Sequence, residues 1–316
     1  MAISKHVRLK ELAAGVYAAI ARSGGAAHSN AGIVDLGGRT LVFDALGTPK
    51  AAADLRAAAE HLTRRPVTYV VNSHADHDHW LGNQVFASDT TIISTSKTRE
   101  RMVTEGTDYI RRCQESPGIL EAQIRAREER LQSETDERWR VSLSGMAAML
   151  RNELEALPTL VLRFPDHTFE QKLVFYGTRR AVELHTWGGG HSSSDAFLFL
   201  PAERCAFMGD LGFFQHHFPL LGSERHTLST TLDRLLSLDL ETYVPGHGPL
   251  GSKADVRLQI QYVAALEALA AQVVEAGGSA DDAARQPVPA PFDAWSHGMG
   301  LFGANMRHLH RCLSGG

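Results

Sequence analysis

The first apolar runs along the chain are short and separated by turn residues. Val16 to Ile20, Ala31 to Asp35 and Thr40 to Phe43 are spaced by Gly24-Gly25 and Gly37-Gly38, which predicts a β-meander between Gly15 and Asp44. From Pro49 to Thr63 the period changes: Ala52, Leu55, Ala59 and Leu62 recur at helical spacing behind a proline suited to a first turn. The β-branched run Val67 to Val71 then reads as a buried strand, and a short helical segment starts near Leu81. Strand, helix and strand in this order predict a mixed sheet.

Between about 95 and 157 the character changes. Residues 121–140 hold eleven charged side chains, five basic and six acidic, around a thin apolar seam of Leu120, Ile124 and Leu131. This pattern predicts an amphipathic helical insertion, broken near Ser116-Pro117-Gly118. Its charges form a solvated face or, as alternatives, a lid or the contact of a homodimer. Strand composition returns from Leu160 to Leu184, with Phe169, Leu173, Phe175, Ala181 and Val182, so the second half repeats the sheet-then-helix order of the first. The tail from about 276 to 316 reads as helix packed on the sheet, and residues 1–316 as one domain.

Composition narrows the function classes. A chain of 316 residues, 43% hydrophobic, can bury one large core. The net charge of −4 and the scattered Lys and Arg offer no stripe for nucleic acid, which is excluded as a partner in favour of a small molecule. No run approaches roughly 18 apolar residues, so no membrane span is expected. The alanines between Ala13 and Ala21 are interrupted by Gly15 and flanked by Glu11 and Arg22, unlike a secretory leader. Cys113, Cys205 and Cys312 lack the paired spacing of a thiolate metal site and suit a cytoplasmic location.

The candidate chemistry lies in four loops. His74, Asp76, His77, Asp78 and His79 fall within six residues, directly after the strand ending at Val71. Imidazole and carboxylate are ligand types of zinc, iron and manganese, and donors this dense can face more than one ion. Later segments repeat one arrangement: an apolar run ends, glycine permits an unusual turn, and a ligand-type side chain sits there. They are Trp187 to Asp195 with His191, Ala206 to Gly212 with Asp210, and Tyr243 to Pro249 with His247. With the early cluster they form an inventory large enough for two metal ions. Asp44, closing its strand, either caps the loop or lies near the cluster.

These four segments, in this order and spacing, resemble the metallo-β-lactamase superfamily, whose leading motif is H-x-H-x-D-H followed by x-x-G-N or x-x-G-G. Asp78-His79-Trp80-Leu81-Gly82-Asn83 sets the register, placing His74 first and Asp76 where the family has its second histidine. Sliding the frame to pair His77 with His79 leaves Leu81-Gly82 where D-H should stand. The resemblance covers nearly the whole chain apart from the insertion and the tail after 275. It implies an α/β fold, the αββα sandwich of two mixed β-sheets flanked by helices. It also implies two Zn2+ ions per chain, with Fe or Mn as alternatives. One ion would be held by His74, Asp76 and His191, the other by Asp78, His79 and His247, with Asp210 bridging. Asp76 either stands in for histidine or points away and leaves its position weakly filled. His77 falls outside the frame, as a supporting or exposed residue or as a further ligand.

The implied activity is hydrolysis of an ester, lactone, thioester or amide bond of a small molecule by metal-activated water, with Asp78 and His79 catalytic and Asp78 also orienting the water. A third carboxylate lowers the formal charge of such a two-metal site from about +1 to about 0, which predicts less readily ionised water and more tolerance of manganese or iron. Two rivals remain: di-iron oxygen or redox chemistry, since flavodiiron relatives also carry a carboxylate in place of that histidine, and a weakly catalytic metal-binding relative. Trp80, Trp187, His216 and His217 are expected to wall the substrate pocket, with core packing as the alternative for Trp80 and Trp187 as for Phe213, Phe214 and Phe218, and His216 and His217 as the better pocket candidates. Ser192 to Ser194 read as loop and cap residues.

Overall fold

The computed structural model describes residues 4–222 and 225–315. Seven strands form a first sheet in sequence order: β1 (Val7–Ala13), β2 (Val16–Ala21), β3 (Ala31–Asp35), β4 (Thr40–Phe43), β5 (Val67–Val71), β6 (Thr91–Thr95) and β7 (His167–Phe169). Pairing is antiparallel from β1 to β4 and parallel from β4 to β7. Helix α1 (Pro49–Thr63) makes the first parallel crossover. β1 precedes the meander expected from Gly15; as an edge strand it buries only Val7, so its alternation is faint in the sequence.

The second sheet holds β8 (Lys172–Tyr176), β9 (Ala181–Thr186), β10 (Ala196–Leu200), β11 (Cys205–Phe207) and β12 (Thr242–Val244), in the order β12-β11-β10-β9-β8. The two sheets stack. Val34, Leu41, Phe43 and Val71 from the first meet Val182, Leu198 and Phe207 from the second in one core. The alternate residues Ile33, Val42 and Val70 pack outward under α1. A strand buried on both faces has no polar side, which is why these runs are continuously apolar. Gly32 lets the sheets approach: a Cβ there would meet the Phe207 ring at 2.5 Å.

Four helices follow β6: α2 (Ser96–Arg101), α3 (Thr107–Glu115), α4 (Gly118–Ser133) and α5 (Glu137–Ala156). The chain breaks at Ser116-Pro117, as the sequence predicts, and again before α5, where Asp136 accepts a hydrogen bond from the Arg138 amide at 2.9 Å. Between α2 and α3 the turn widens into a π-helix at Met102–Gly106, and a Cβ on Gly106 would meet Trp80 at 2.8 Å. Behind the second sheet, α6 (Arg225–Ser237), α7 (Lys253–Glu275), α8 (Ala280–Ala284) and α9 (Met299–Leu313) enclose a further core around Phe197, Tyr243, Tyr262 and Met306. No helix among the described residues is long and apolar enough to cross a membrane.

Candidate metal centre

All four ligand-bearing loops leave the C-terminal ends of strands. Residues 72–80 follow β5, the His191 loop follows β9, Asp210 follows β11 and His247 follows β12. β9, β11 and β12 run the same way, because β10 is antiparallel to both β9 and β11, and β11 is parallel to β12. The second sheet is then joined to the first at this end: Ala196 N donates to Ser73 O at 2.8 Å, and Asn30 N to Gly246 O at 2.7 Å. Residues far apart in sequence therefore converge at one edge of the sandwich.

They converge as two sets. His74, Asp76, His191 and Asp210 offer donor atoms within 4.8 Å of one another, and so do Asp78, His79 and His247. Asp210 divides its oxygens between them. Its Oδ2 lies 3.6 Å from His74 Nε2 and 3.5 Å from His191 Nε2, while Oδ1 lies 3.0 Å from His79 Nε2 and 3.4 Å from His247 Nε2. Asp76 Oδ2 is 3.5 Å from His74 Nε2 and 3.0 Å from His191 Nε2, so this aspartate turns toward the cluster. A tetrahedral ion with ligands at about 2 Å separates its donors by roughly 3.3 Å, which is the spacing found here.

The donor set fits a cation in a second way. His74 Nε2, His79 Nε2 and Asp210 Oδ1 are buried and, close as they lie to one another, make no hydrogen bond of good geometry among the described residues. Buried polar atoms are almost always satisfied, and these point at one another's space. Burial opposes charge on every group, yet the pairing of opposite charges wins. Asp76, Asp78 and Asp210 are held well below the usual carboxylate range by neighbouring imidazoles, and Asp76 and Asp210 push His191 up to about 9. Asp210 and Asp78 raise His247 to about 10 in the same way. Three carboxylates concentrated here attract positive charge, and the clusters fit a divalent metal site.

One buried carboxylate sets the tautomers. Asp44 Oδ2 accepts from His79 Nδ1 at 2.8 Å and from Ser73 Oγ at 2.8 Å, while Oδ1 accepts from the Ser73 amide at 2.7 Å. An ionised carboxylate only accepts, so His79 carries its proton on Nδ1 and leaves Nε2 free. Ser73 spends its one proton on Asp44, so His74 Nδ1, 3.0 Å away, donates to Ser73 Oγ. Asp44 thus orients an imidazole in each set, the role of a supporting partner of metal-binding histidines. Both alternatives held open for it in the sequence turn out to be true, since it ties the loop and faces the cluster.

Other supports come from residues whose part in the site the sequence does not reveal. Phe213 stacks on His247 with ring centroids 4.9 Å apart and an interplanar angle of 8°, and lies 5.4 Å from His191. Asn30 Nδ2 donates to Pro245 O and Gly248 O, both at 2.9 Å, holding the two shoulders of the His247 turn. That turn tolerates nothing larger than glycine at 246, where a Cβ would lie 2.0 Å from Asp210 Oδ1. Gly246→Ala is expected to displace Asp210 or His247 and to lower metal affinity by about 10- to 100-fold, the usual cost of a misplaced support; calorimetric zinc titration checks it.

The residues expected to wall a pocket divide. Trp80 is fully buried, its Nε1 donating to Ala75 O at 2.9 Å, and packs beneath the insertion with Met102 and Ile110. His217 is buried too, hydrogen-bonded to Tyr262 Oη at 2.9 Å, and burial lowers its pKa to about 4. Expected at the pocket wall, both lie in the core, where Trp80 Nε1 and His217 Nδ1 each find a polar partner that lowers the cost of burying them. Trp187 packs on Phe197 under Arg234. His216 stays at the edge, 6.4 Å from the His247 ring and stacked on His297 at 4.4 Å. His77 stacks on Tyr109 of α3. Ser192 accepts no catalytic geometry; its hydroxyl donates to Asp195 within its own loop at 2.8 Å.

Stacked mixed sheets with a shared carboxylate between two histidine-bearing sets define the class of αββα metal-site proteins. The chain belongs to the metallo-beta-lactamase superfamily, whose sequence profile matches residues 24–247. Among solved structures it is similar to a metallo-beta-lactamase from Pontibacter korlensis, at 15% identity and a TM-score of 0.58, over 81% of this chain and 98% of that one. It is also similar to DIM-1 metallo-beta-lactamase, at 13% identity and a TM-score of 0.54, over 81% and 96% of the two chains. A double mutant of the sec-alkyl sulfatase PisA1 matches over 97% of this chain at 17% identity and a TM-score of 0.65, but this chain spans only 50% of that protein. No curated protein matches the sequence.

Proposed function

We propose that this protein is a hydrolase that uses two divalent ions, zinc first, to cleave an ester, lactone, thioester or amide bond of a small molecule. The observation that carries this reading is the division of the Asp210 oxygens between two sets of histidine and aspartate donors. His74, Asp76 and His191 would hold one ion, Asp78, His79 and His247 the other, with Asp210 shared. Divalent ions in such a site supply a nucleophilic water at neutral pH and stabilise the negative charge that develops on the attacked group.

The chain's own residues do the rest. Asp44 fixes the His79 and His74 rings so that no rotamer search precedes binding. Phe213 seals one side of His247 and excludes bulk water from it. Asp78, whose Oδ2 faces His247 at 3.3 Å, also accepts a hydrogen bond from the attacking water and so aligns its lone pair.

The test is metal analysis of protein purified without added metal, followed by turnover of lactones, thioesters, esters and amides, with sulfate esters added because of the sulfatase neighbour. Zinc with chelator-sensitive turnover supports the proposal. Iron with oxygen consumption would identify the di-iron alternative instead, and turnover indifferent to chelation would sink both. Asp76→His restores the family's usual donor, and because Asp76 already reaches His74 and His191 it is expected to keep or strengthen zinc binding there. An emptied first position in that variant would show that Asp76 was no stand-in.

A further inference from the structure

We propose that the Glu153 carboxylate, presented by the helical insertion and gripped by Tyr109, is a substrate-recognition group that takes a positively charged amine on the substrate. This rests on the metal-hydrolase reading above and adds a substrate class to it: amine-bearing acyl compounds.

Placement comes first. The Tyr109 ring stacks on His77 with centroids 4.3 Å apart and 25° between planes, and His77 sits between Asp76 and Asp78 in the ligand loop. The Tyr109 hydroxyl donates to Glu153 Oε1 at 2.9 Å. One tyrosine therefore spans from the ligand loop to Glu153. The neighbouring Asn152 donates to Gly25 O at 3.2 Å, tying the same turn of α5 to the β2–β3 loop, whose Ser29 hydroxyl bonds the Asp78 carbonyl at 2.5 Å. At its other end α5 is fixed to the C-terminal segment, where Ser142 Oγ accepts from Met299 N at 3.2 Å. The helix is thus moored on both sides, with Glu153 on the turn linked through Tyr109 to His77 of the ligand loop.

Charge comes second. Many acids of the insertion have basic partners, such as Glu155 with Lys50, Glu128 with Arg151, Glu134 with Arg130 and Glu105 with Arg101, and Glu100 and Glu129, which form no ion pair among the described residues, are exposed. Glu153 forms no ion pair among the described residues, although it is half-buried. A fully solvated carboxylate needs no partner, but one withdrawn from water without a cation is destabilised. Burial pushes its carboxyl up, and the Tyr109 hydrogen bond works against that. Tyr109 satisfies one oxygen and leaves the other for a donor. A substrate ammonium would supply the missing charge while its acyl group lay over the ligand loop.

Matched series of alkyl hydroxamates and ω-aminoalkyl hydroxamates of increasing chain length, titrated calorimetrically into the zinc-loaded protein near neutral pH, test this. The hydroxamate anchors at the metals and the amine samples the distance to Glu153. At the length that fits, the amine is expected to improve affinity about tenfold, the gain of one sheltered charge-assisted hydrogen bond. Glu153→Gln and Glu153→Ala should each erase that ratio while leaving alkyl hydroxamate binding unchanged, Tyr109→Phe should reduce it, and Glu155→Gln should preserve it. No preference for the amine at any length, or one that survives in both Glu153 variants, overturns the proposal. Failure of every hydroxamate to bind would instead overturn the metal-centre reading, and this inference with it.

Discussion

Replacing His247 with alanine is expected to abolish turnover and to empty the Asp78–His79–His247 position while the sandwich stays folded. His247 Nε2 lies 3.3 Å from Asp78 and 3.4 Å from Asp210, so its loss leaves two carboxylates facing one imidazole. Losing only a supporting partner of a metal ligand costs about 10- to 100-fold in affinity or activity, and a direct donor should cost more. The fold is spared because the ring packs on Phe213 at the sheet edge, outside the inter-sheet core of Val34, Leu41 and Val182. His191→Ala should act alike on the other set. Metal content, circular dichroism and turnover on whichever substrate the screen yields check both variants; near-native turnover in either would mean the ligand assignment is wrong.

The second large effect is expected at a residue that is not itself a donor but holds one, Asp44 bonding His79 Nδ1 at 2.8 Å. Asp44→Ala removes the acceptor shared by His79 Nδ1, Ser73 Oγ and the Ser73 amide, all buried. Each buried group left without a partner costs about 1–3 kcal/mol, so a stability loss of several kcal/mol is expected in thermal or urea unfolding. The metal effect is separable from it. Without Asp44 neither His79 nor His74 has its proton fixed on Nδ1, so both metal positions should weaken, again by about 10- to 100-fold. Asp44→Asn keeps the shape and one acceptor oxygen but sets its NH2 either against the Ser73 amide or against His79 Nδ1 and Ser73 Oγ, so it should lose metal affinity, though less than alanine. A variant that unfolds earlier yet binds zinc as the native protein does would show that Asp44 serves the fold alone.

Much of this was legible before any coordinates. The strand and helix periods from Val16 to Val71 appear as β2, β3, β4, α1 and β5, because a core-facing helix and a doubly buried strand leave unmistakable spacings. The edge strand β1 did not, since it buries a single residue. Every donor that the structure gathers at the centre stands after an apolar run and beside a turn, where an ionisable side chain has few structural reasons to be. The supports were not legible in the same way. Phe213 reads like any core aromatic until it is seen against His247, and Asn30 lies 215 residues from the carbonyl it holds. That Trp80 and His217 lie in the core was not legible either, because a sequence shows polarity but not a buried partner such as Ala75 O or Tyr262 Oη.

By itself, then, the order of residues determined which side chains are available for metal chemistry and that Asp76 stands where the family has histidine, because local spacing encodes both. Only the packing of the second sheet against the first decided that Asp76 turns inward, that Asp210 faces two sets at once, and that Glu153 is left half-buried without a basic partner. The first two depend on distances between segments more than a hundred residues apart, and the third on contacts within and around the insertion. Such distances are fixed by how two twisted sheets and a moored helix bury their apolar faces together, and no stretch of sequence carries that information alone.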